Sequence, residues 1–529
     1  MSASEPSGPD PRRLLSPLRA SRAYRLLFTG QLTSQVAIWI LTVAAQVILV
    51  QQGQSTLVIA LVQTAVTLPF LIITIPSGVL ADLVSRRGVL VTTNSAAAAL
   101  SATLVIVSAA QGLPAWLLLS LTLLLGMAWA INAPTYSAAV PDVVDRSYIP
   151  MASMLSSINF NIARVIGPAL GGIAIALLGA TWAFGLSVLG FAWFGVAAFL
   201  ADIPRRTSAS RRFGPALRTG FRHVINSASL IRIIIVTAAW FIAGAVMWAL
   251  LPVVAMRELG IDSGGYGWIL ALVGGGAVVG TILMAPLRSR LLPSRFTSIM
   301  VAAYALSLVG IGLAHRPWIL MLVLPIAGAS WTATGAVLLA QAQQMLPAWV
   351  RARGMAYYLM ASQGGLAAGS LLWGALGGVI GIPAAFISAA VALGVILWMT
   401  IRGGLPDVAL AEPGDGWPLP DAELTQEQLD RKARILVVWR VPPEHREEFL
   451  TAMIEVRRSR RRTGGRGWTL SWDVDDPSLY AESWTVDSWH DHLEQHEVRQ
   501  ATADMQASAA VRALVGEPVA IRHYVDAME

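Results

Sequence analysis

The chain has 529 residues, 55% hydrophobic and only 13% charged, with a mean hydropathy of +0.61. Soluble domains carry about 25% charged residues, so an ordinary cytosolic enzyme, a disordered chain and a collagen-like chain are excluded. Cysteine is absent, which removes a disulfide framework, a thiolate metal site and a cysteine nucleophile.

The charge is unevenly placed. Residues 1–25 hold 5 basic and 2 acidic side chains, 26–402 hold 19 and 6, and 403–529 hold 14 and 23. The net charges are therefore +3, +13 and −9, which make up the overall +7. The middle stretch has membrane composition and the last has soluble composition. The basic residues belong to loops flanking a membrane, so no nucleic-acid partner is expected; the expected partners are the lipid bilayer and a small molecule.

Residues 1–25 form a Pro/Ser/Arg-rich tail without the apolar core of a signal peptide. Twelve apolar runs of about 20 residues follow, each long enough to cross a bilayer: roughly 26–50, 56–77, 88–110, 113–135, 152–178, 181–201, 229–256, 265–286, 294–314, 317–340, 352–378 and 382–402. They divide into a six-helix bundle over 26–201, a cytoplasmic loop over 202–228 and a second bundle over 229–402. Within the loop, 214–226 reads as an amphipathic interfacial helix with Phe221 and Val224 inward. With the N-terminus inside, the arginines of the short loops fall almost entirely on the inner side: Arg86, Arg87, Arg146, Arg288, Arg290, Arg295, Arg351 and Arg353, against Arg257 and Arg316 outside. The expectation is a multi-pass protein of the cell inner (plasma) membrane with both termini cytoplasmic.

The two bundles echo each other at an offset of 202: Gly78 and Arg86 with Gly280 and Arg288, Gly167 and Gly172 with Gly369 and Gly374, Gly179 and Phe184 with Gly381 and Phe386. A parallel six-plus-six repeat places a binding site between the halves near the midplane. Residues 403–432, rich in Gly and Pro, read as a linker. In 433–529 the order is strand (433–441), helix (443–462), paired strands (468–474 and 479–486), helix (489–514) and strand (519–525). That βαββαβ order predicts a small cytoplasmic α+β, ferredoxin-like domain beside an all-α membrane part.

Three motifs carry chemistry. The first is Gly78-Val-Leu-Ala-Asp82-Leu-Val-Ser85-Arg86-Arg87-Gly88, between helices 2 and 3. It resembles the signature of the major facilitator superfamily, G-x-L-a-D-r-x-G-R-r, with Leu83 and Ser85 departing from it. In that family the loop is a conformational latch, a role the resemblance carries to Gly78, Asp82, Arg86 and Arg87. Positive-inside anchoring accounts for the two arginines but not for Asp82 and Gly78 at this spacing.

The second is Asn159-Phe-Asn161-Ile-Ala-Arg164-Val-Ile-Gly167-Pro168-Ala-Leu-Gly-Gly172. It resembles helix 5 of the enterobactin-exporter-like branch, N-x-A-R-x-x-G-P-A-x-G-G. Pro168 removes a backbone donor, so a bend is expected there. Arg164 falls near mid-bilayer, where a charge is costly and faces a cavity or a partner; the competing reading is that it only fixes packing. Asn159, Asn161, Gly167, Pro168, Gln31 and Gln35 are taken with it as transport-cavity residues. Gln46, Gln63, Asn94, Asn132, Thr332, Gln341, Tyr357 and Gln363 are further polar candidates, and Trp39, Trp129, Trp240, Trp248 and Trp331 candidates for an aromatic pocket. The acids of 26–402, Asp82, Asp142, Asp145, Asp202, Glu258 and Asp262, all lie at or near loops, so no coupling carboxylate stands out; Glu258 and Asp262, at the outer end of helix 7, are the nearest candidates for proton access, with solvated loop charges the preferred reading.

The third is Glu455–Gly465 with its arginine run, Trp468, and Ser488-Trp-His490-Asp-His492-Leu-Glu-Gln-His496. It resembles the soluble domain fused to transmembrane secretion effectors, similar to the antibiotic-biosynthesis-monooxygenase-like dimeric α/β barrel; the resemblance makes pairing of two such domains an expectation. His492 and His496 have helical metal-ligand spacing, but a solvated or dimer-facing helix is the preferred reading, as a solvated helix end is for Arg457–Arg462. No metal and no cofactor is expected, and with no phosphate-cradling loop ATP drive is unlooked for. The resemblance implies a proton-coupled secondary exporter of small amphiphilic molecules, siderophore-, drug- or antibiotic-like, working by alternating access and not as an enzyme. The rivals are a transporter fused to a cofactor-free oxidising domain, drawing on Trp468, Trp472, Trp484, His490 and His523, and one whose tail senses ligand.

Overall fold

The computed structural model describes residues 15–110, 112–204, 222–347, 350–404, 424–499 and 502–527; the side chains of 74–83 and of residues 157, 161, 165, 285, 352, 403, 426, 497, 498, 502 and 503 are outside the description. The chain forms two compact units.

The first unit contains most of the membrane-type helices. In chain order these helices are α1 Arg22–Gln51, α2 Thr56–Leu83, α3 Arg86–Ala109, α4 Ala115–Val143, α5 Ile149–Leu178, α6 Ala180–Leu200, α7 Ala228–Val253, α8 Ser263–Leu283, α9 Pro293–Gly312, α10 Pro317–Met345, α11 Arg351–Val379 and α12 Ile382–Gly403. Eleven helices among the described residues are long and apolar enough to cross a membrane. The remaining one is α11, where the sequence places a span at 352–378. Its 29 residues would reach about 43 Å, but seven glycines together with Ser362, Gln363 and Ser370 dilute its hydropathy.

Several helix starts are set locally. The Ser85 hydroxyl accepts the Gly88 N–H and caps α3, and Asp262 accepts the Gly265 N–H to cap α8. Ser85, a departure from the superfamily signature, and Asp262, read from sequence as a solvated loop charge in preference to a proton-access residue, are thus helix caps. Pro168 does not end α5, which continues from Ile149 to Leu178 without the backbone hydrogen bond to the Arg164 carbonyl that proline cannot donate.

The offset of 202 recurs in the packing. Gly179 and Gly381 both sit at positive φ, +87° and +84°, at the turns into α6 and α12, where only glycine is unstrained. A Cβ on Gly167 would lie 2.5 Å from the Trp39 Cβ, and one on Gly369 would lie 2.3 Å from the Ile242 carbonyl oxygen. These are the equivalent crossings α5 on α1 and α11 on α7. Gly126 and Gly328, a pair the sequence reading passed over, repeat the relation for α4 on α2 and α10 on α8. Small residues let the backbones approach where apolar side chains gain nothing by leaving lipid.

The second unit joins the tail to residues 210–235 and 338–358, so helix ends assigned by sequence to the membrane bundle belong to it. The expected linker lies outside the described residues over 405–423, as does the expected loop helix up to Phe221; Val224 is buried. In the tail, β1 Ala433–Arg440, α13 Arg446–Arg462, β2 Arg466–Trp472, β3 Leu479–Val486, α14 Trp489–Glu494, α15 Thr502–Val515 and β4 Ala520–Val525 follow the expected order. The sheet is antiparallel, in the order β2-β3-β1-β4. Ala433, Ile435, Val437 and Trp439 alternate along β1 toward Phe449, Met453 and Val456 of α13.

This core also contains polar groups that the sequence reading left in solvent. Arg460 is buried and donates to the Glu482 carboxylate at 3.0 Å, which also accepts from the Trp468 indole at 2.9 Å. The Arg460 guanidinium lies 4.4 Å from the Trp484 ring centre. Neither His492 nor His496 is solvated: the His492 ring packs against those of His496, Trp489 and His523 at 4.6, 5.2 and 4.9 Å. Charge pairing and ring stacking keep a helix face inward that reads as polar in sequence.

Burial pushes the His492 imidazole down to about 3, and burial also lowers His523. Both are therefore neutral in the folded tail at neutral pH. Between the ordinary histidine value near 6.5 and the depressed folded value, the unfolded tail binds protons that the folded tail does not. Tail stability is thus complete above about pH 6.5 and falls on acidification, His492 alone contributing about tenfold in the unfolding equilibrium per pH unit. Hydrogen exchange of peptides from 433–525, corrected for intrinsic rates, should show this slope between pH 6 and 4, and His492→Phe should flatten it.

Candidate functional site

Helices α1 and α5 from the first six meet α7, α8 and α10 from the last six around one charge. Arg164 stands midway along the 30-residue α5. Its guanidinium carbon lies 5.1 Å from the Trp248 ring centre, and Nη1 donates to the Thr332 hydroxyl at 3.4 Å. A cation at this depth is retained only where a π-face, a hydroxyl or water replaces its hydration. Both partners are on the opposite half of the bundle, so Arg164 bridges the halves.

The Arg164 site has aromatic walls. Trp248 packs on Trp39 at 5.6 Å and on Trp331 at 6.1 Å. Trp331 in turn meets Trp240, Phe241 and Tyr304 at 5.4, 5.1 and 5.5 Å. The Tyr304 hydroxyl donates to the Gly244 carbonyl at 2.8 Å, so a polar group deep in the cluster is satisfied. Four of the five tryptophans singled out by sequence meet here; Trp129 packs instead edge-on against Phe70 at 4.9 Å.

Between Arg164 and the ends of the helices distal to the chain termini, the two halves are joined. Gln46 donates to the Trp248 carbonyl at 3.1 Å and accepts from the Tyr266 hydroxyl at 3.1 Å. Around them a cavity of about 10 Å³, room for one water, is lined by Trp39, Thr42, Gln46, Gln63, Trp248 and Tyr266 among others. Thr56 donates to the Gly374 carbonyl at 2.9 Å and Thr64 to the Ala367 carbonyl at 3.2 Å, tying α2 to α11. Where α5 crosses α8, a Cβ on Gly172 would lie 2.2 Å from the Gly267 Cα. Arg257 reaches back to the Val50 and Gln54 carbonyls. These contacts seal the distal side of the Arg164 site.

At the other end Arg86 forms an ion pair with Asp142, whose carboxylate is almost fully buried, and donates to the Ala138 carbonyl at 2.8 Å. Arg87 donates to the Phe199 carbonyl and stacks on its ring at 4.9 Å. The side chains of Gly78 and Asp82 lie outside the described residues, so the structure places only the arginine part of the motif. Asp142 is the residue that sequence reasoning passed over; its signal was a carboxylate at the same membrane face as Arg86.

The other expected cavity residues divide. Asn159 is buried and donates to the Phe28 carbonyl at 2.9 Å, binding α5 to α1 within one half. Gly167 belongs to the same helix-packing face against α1, Pro168 is buried beside it, and the Asn161 side chain lies outside the described residues. Gln31 and Gln35 are buried, with side-chain oxygens that accept no hydrogen bond among the described residues. With Thr42 and Gln46 they form a polar stripe along α1 at helical spacing. Tyr266, Tyr304, Thr42 and Phe241 complete the site and were not read from sequence: single aromatics or hydroxyls in apolar helices give no local signal.

The sequence model described as transmembrane secretion effector matches residues 13–529. No curated protein sequence matches the chain significantly. Among solved structures, a mutant form of the nucleoside transporter NupG is 13% identical with a TM-score of 0.57, covering 72% of this chain and 99% of its own. A bacterial homolog to the human lysosomal transporter Spinster, inward-facing and unoccupied, is 14% identical with a TM-score of 0.57 and covers 75% and 98%. A POT family transporter in complex with 5-aminolevulinic acid is 13% identical with a TM-score of 0.59 and covers 72% and 96%. At these identities the likeness shows a shared fold of the major facilitator type.

The backbone contact at Gly172 gives a direct test of the distal seal. A larger side chain overlaps the Gly267 backbone and has nowhere to turn, at a cost of about 1–3 kcal/mol. Gly172→Val should hold the distal ends of α5 and α8 apart, increasing the spin-label distance across them, while Gly185→Val, where a Cβ meets nothing within 4 Å, should leave the distance unchanged.

Proposed function

Because the chain belongs to the transmembrane secretion effector family, we propose that it is a secondary transporter exporting a small amphiphilic molecule by alternating access, with Arg164 as the anchor of the cargo site. The observation that carries this reading is the placement of Arg164: a guanidinium between the two halves, against Trp248 and Thr332, beneath a sealed distal end. A carboxylate or carbonyl-rich cargo suits the guanidinium, and an aromatic or aliphatic body suits Trp39, Trp248 and Trp331. That chemistry agrees with siderophore-, drug- or antibiotic-like molecules, and the motif around Arg164 with the enterobactin-exporter-like branch.

In this reading all twelve long helices span the plasma membrane, α11 included. The termini are cytoplasmic by the arginine bias of the loops, so the distal seal is the outer gate and the structure is an inward-facing state. Breaking the Gln46, Thr56 and Thr64 bonds and parting Gly172 from Gly267 would open the cargo site outward. Asp82, Arg86 and Arg87 form the inner latch, Asp142 being the partner that Arg86 holds or releases. Proton coupling is part of the proposal; with no carboxylate beside Arg164 among the described residues, the cargo's own anionic group is the natural partner of the cation. The tail, whose sheet order supports a ferredoxin-like, monooxygenase-like α/β domain able to pair with a second copy, has a regulatory task.

Reconstituted into proteoliposomes and offered a panel of siderophores and drugs with and without a pH gradient, the protein should transport an anionic amphiphile, faster with the gradient. Arg164→Leu removes the desolvation cost of the charge and should abolish transport with little loss of thermal stability in detergent. Arg164→Lys keeps the charge without the planar fork and should be partly active at best. An unfolded Leu variant would make Arg164 a packing residue, and a fully active one would remove it from the mechanism.

A further inference from the structure

The second unit is built from one side of the transporter only. Besides the tail it holds residues 210–235 and 338–358, which run into α7, α10 and α11, and nothing from α1–α6. The last stretch of the central loop is its meeting point with the tail. Residues 222–225 make a helical turn, and within it His223 and Val224 are buried. Val224 and Leu230 pack with Leu346 and Val350 in a small apolar cluster that Ile234, Met355 and Tyr357 extend. His223 meets the tail: its ring hydrogen-bonds to the Arg462 backbone and interacts with the Asp504 carboxylate. Asp504 is buried and accepts from Arg462 Nε at 3.1 Å.

A solvated histidine on a loop would not be so enclosed. Burial pushes His223 down to about 4, so it enters the socket neutral. The socket also has direction. The central loop is the covalent tether between the six-helix halves, and its C-terminal end belongs to the same unit as the tail and residues 338–358. For the distal seal to part, the halves must rock about the Arg164 level and the proximal ends must rearrange, pulling on that tether.

We propose that the tail is an autoinhibitory clasp: by seating His223 against the Arg462–Asp504 pair it pins the central loop to the carboxy-terminal half and favours the state whose distal side is sealed. Undoing the clasp releases residues 222–225 from the tail and lets the distal side open more often. The inference rests on the alternating-access reading above, and the experiment separates the two.

The chain has no cysteine, so Thr64→Cys, at the buried α2–α11 seam, gives a single maleimide target in the full-length protein in nanodiscs. Trypsin cleavage after Arg222, read by mass spectrometry, reports the clasp; maleimide labelling of position 64 reports the distal seam. His223→Ala removes a buried hydrogen bond and should raise both rates, by about three- to tenfold. Asp504→Asn, acting from the tail side, should do the same and supplies the readout if His223→Ala does not accumulate. A variant cleaved faster at Arg222 but labelled at the wild-type rate would overturn the clasp as a regulator. Wild-type protein cleaved at Arg222 as fast as the variants would overturn the clasp itself. Gly172→Val in the same background is the control: no labelling even there would overturn the alternating-access reading, and the clasp with it.

Discussion

A guanidinium at the midpoint of a membrane-type helix is the most expensive group in the first unit, and the arrangement around it follows from that expense. Arg164 has no carboxylate beside it among the described residues; it has a π-face and a hydroxyl, both from the opposite half. Such partners are weaker than a carboxylate. They hold the charge without neutralising it, which leaves room for an anion. The crowding of Trp39, Trp240, Trp248, Trp331 and Tyr304 serves the same end. Large rings exclude water on the apolar side of the charge.

The fold was legible in sequence where length and composition decide. Each helix of 20 residues or more starts within a few residues of an apolar run, because hydrocarbon thickness sets length, while α2, α4 and α10 continue past the expected ends at 77, 135 and 340 to Leu83, Val143 and Met345. The offset of 202 was visible because glycine is irreplaceable at Gly179 and Gly381 and at tight crossings such as Gly167 and Gly369. Arg164 was legible by its cost alone. Its partners were not, since Trp248 and Thr332 are unremarkable residues in their own helices and gain meaning only when α7 and α10 close on α5. The reading of Asp142 as a plain loop acid failed for the same reason, a buried ion pair being a relation between residues; Asp262 is exposed as read, with the added task of capping α8.

The tail shows the opposite failure. Its strands alternate plainly, but polarity misled at Arg460, His492 and His496, which face inward. A sequence of arginines and histidines at helical spacing looks solvated until an acceptor such as Glu482 or a ring such as Trp484 is placed opposite. The acidic surplus of 403–529 is partly consumed in this way: Arg460 with Glu482, Arg462 with Asp504 and Arg499 with Glu494 are pairs inside the domain. Buried pairs of this kind contribute little net stability but make the packing particular, since a lone partner is costly.

The crossing of α5 and α8 at Gly172 and Gly267 is backbone against backbone. Neither residue has rotamers to order when the helices meet or to release when they separate. The seam can therefore form and break without the entropy change that interdigitating leucines or phenylalanines would bring, and with little temperature dependence of its own. In the alternating-access cycle proposed above, the speed at this seam would be set by the few hydrogen bonds alongside it, at Gln46, Thr56 and Thr64, each worth about 0.6 kcal/mol in a membrane interior. So few weak bonds would yield to modest forces, within the range that the proposed anionic cargo supplies.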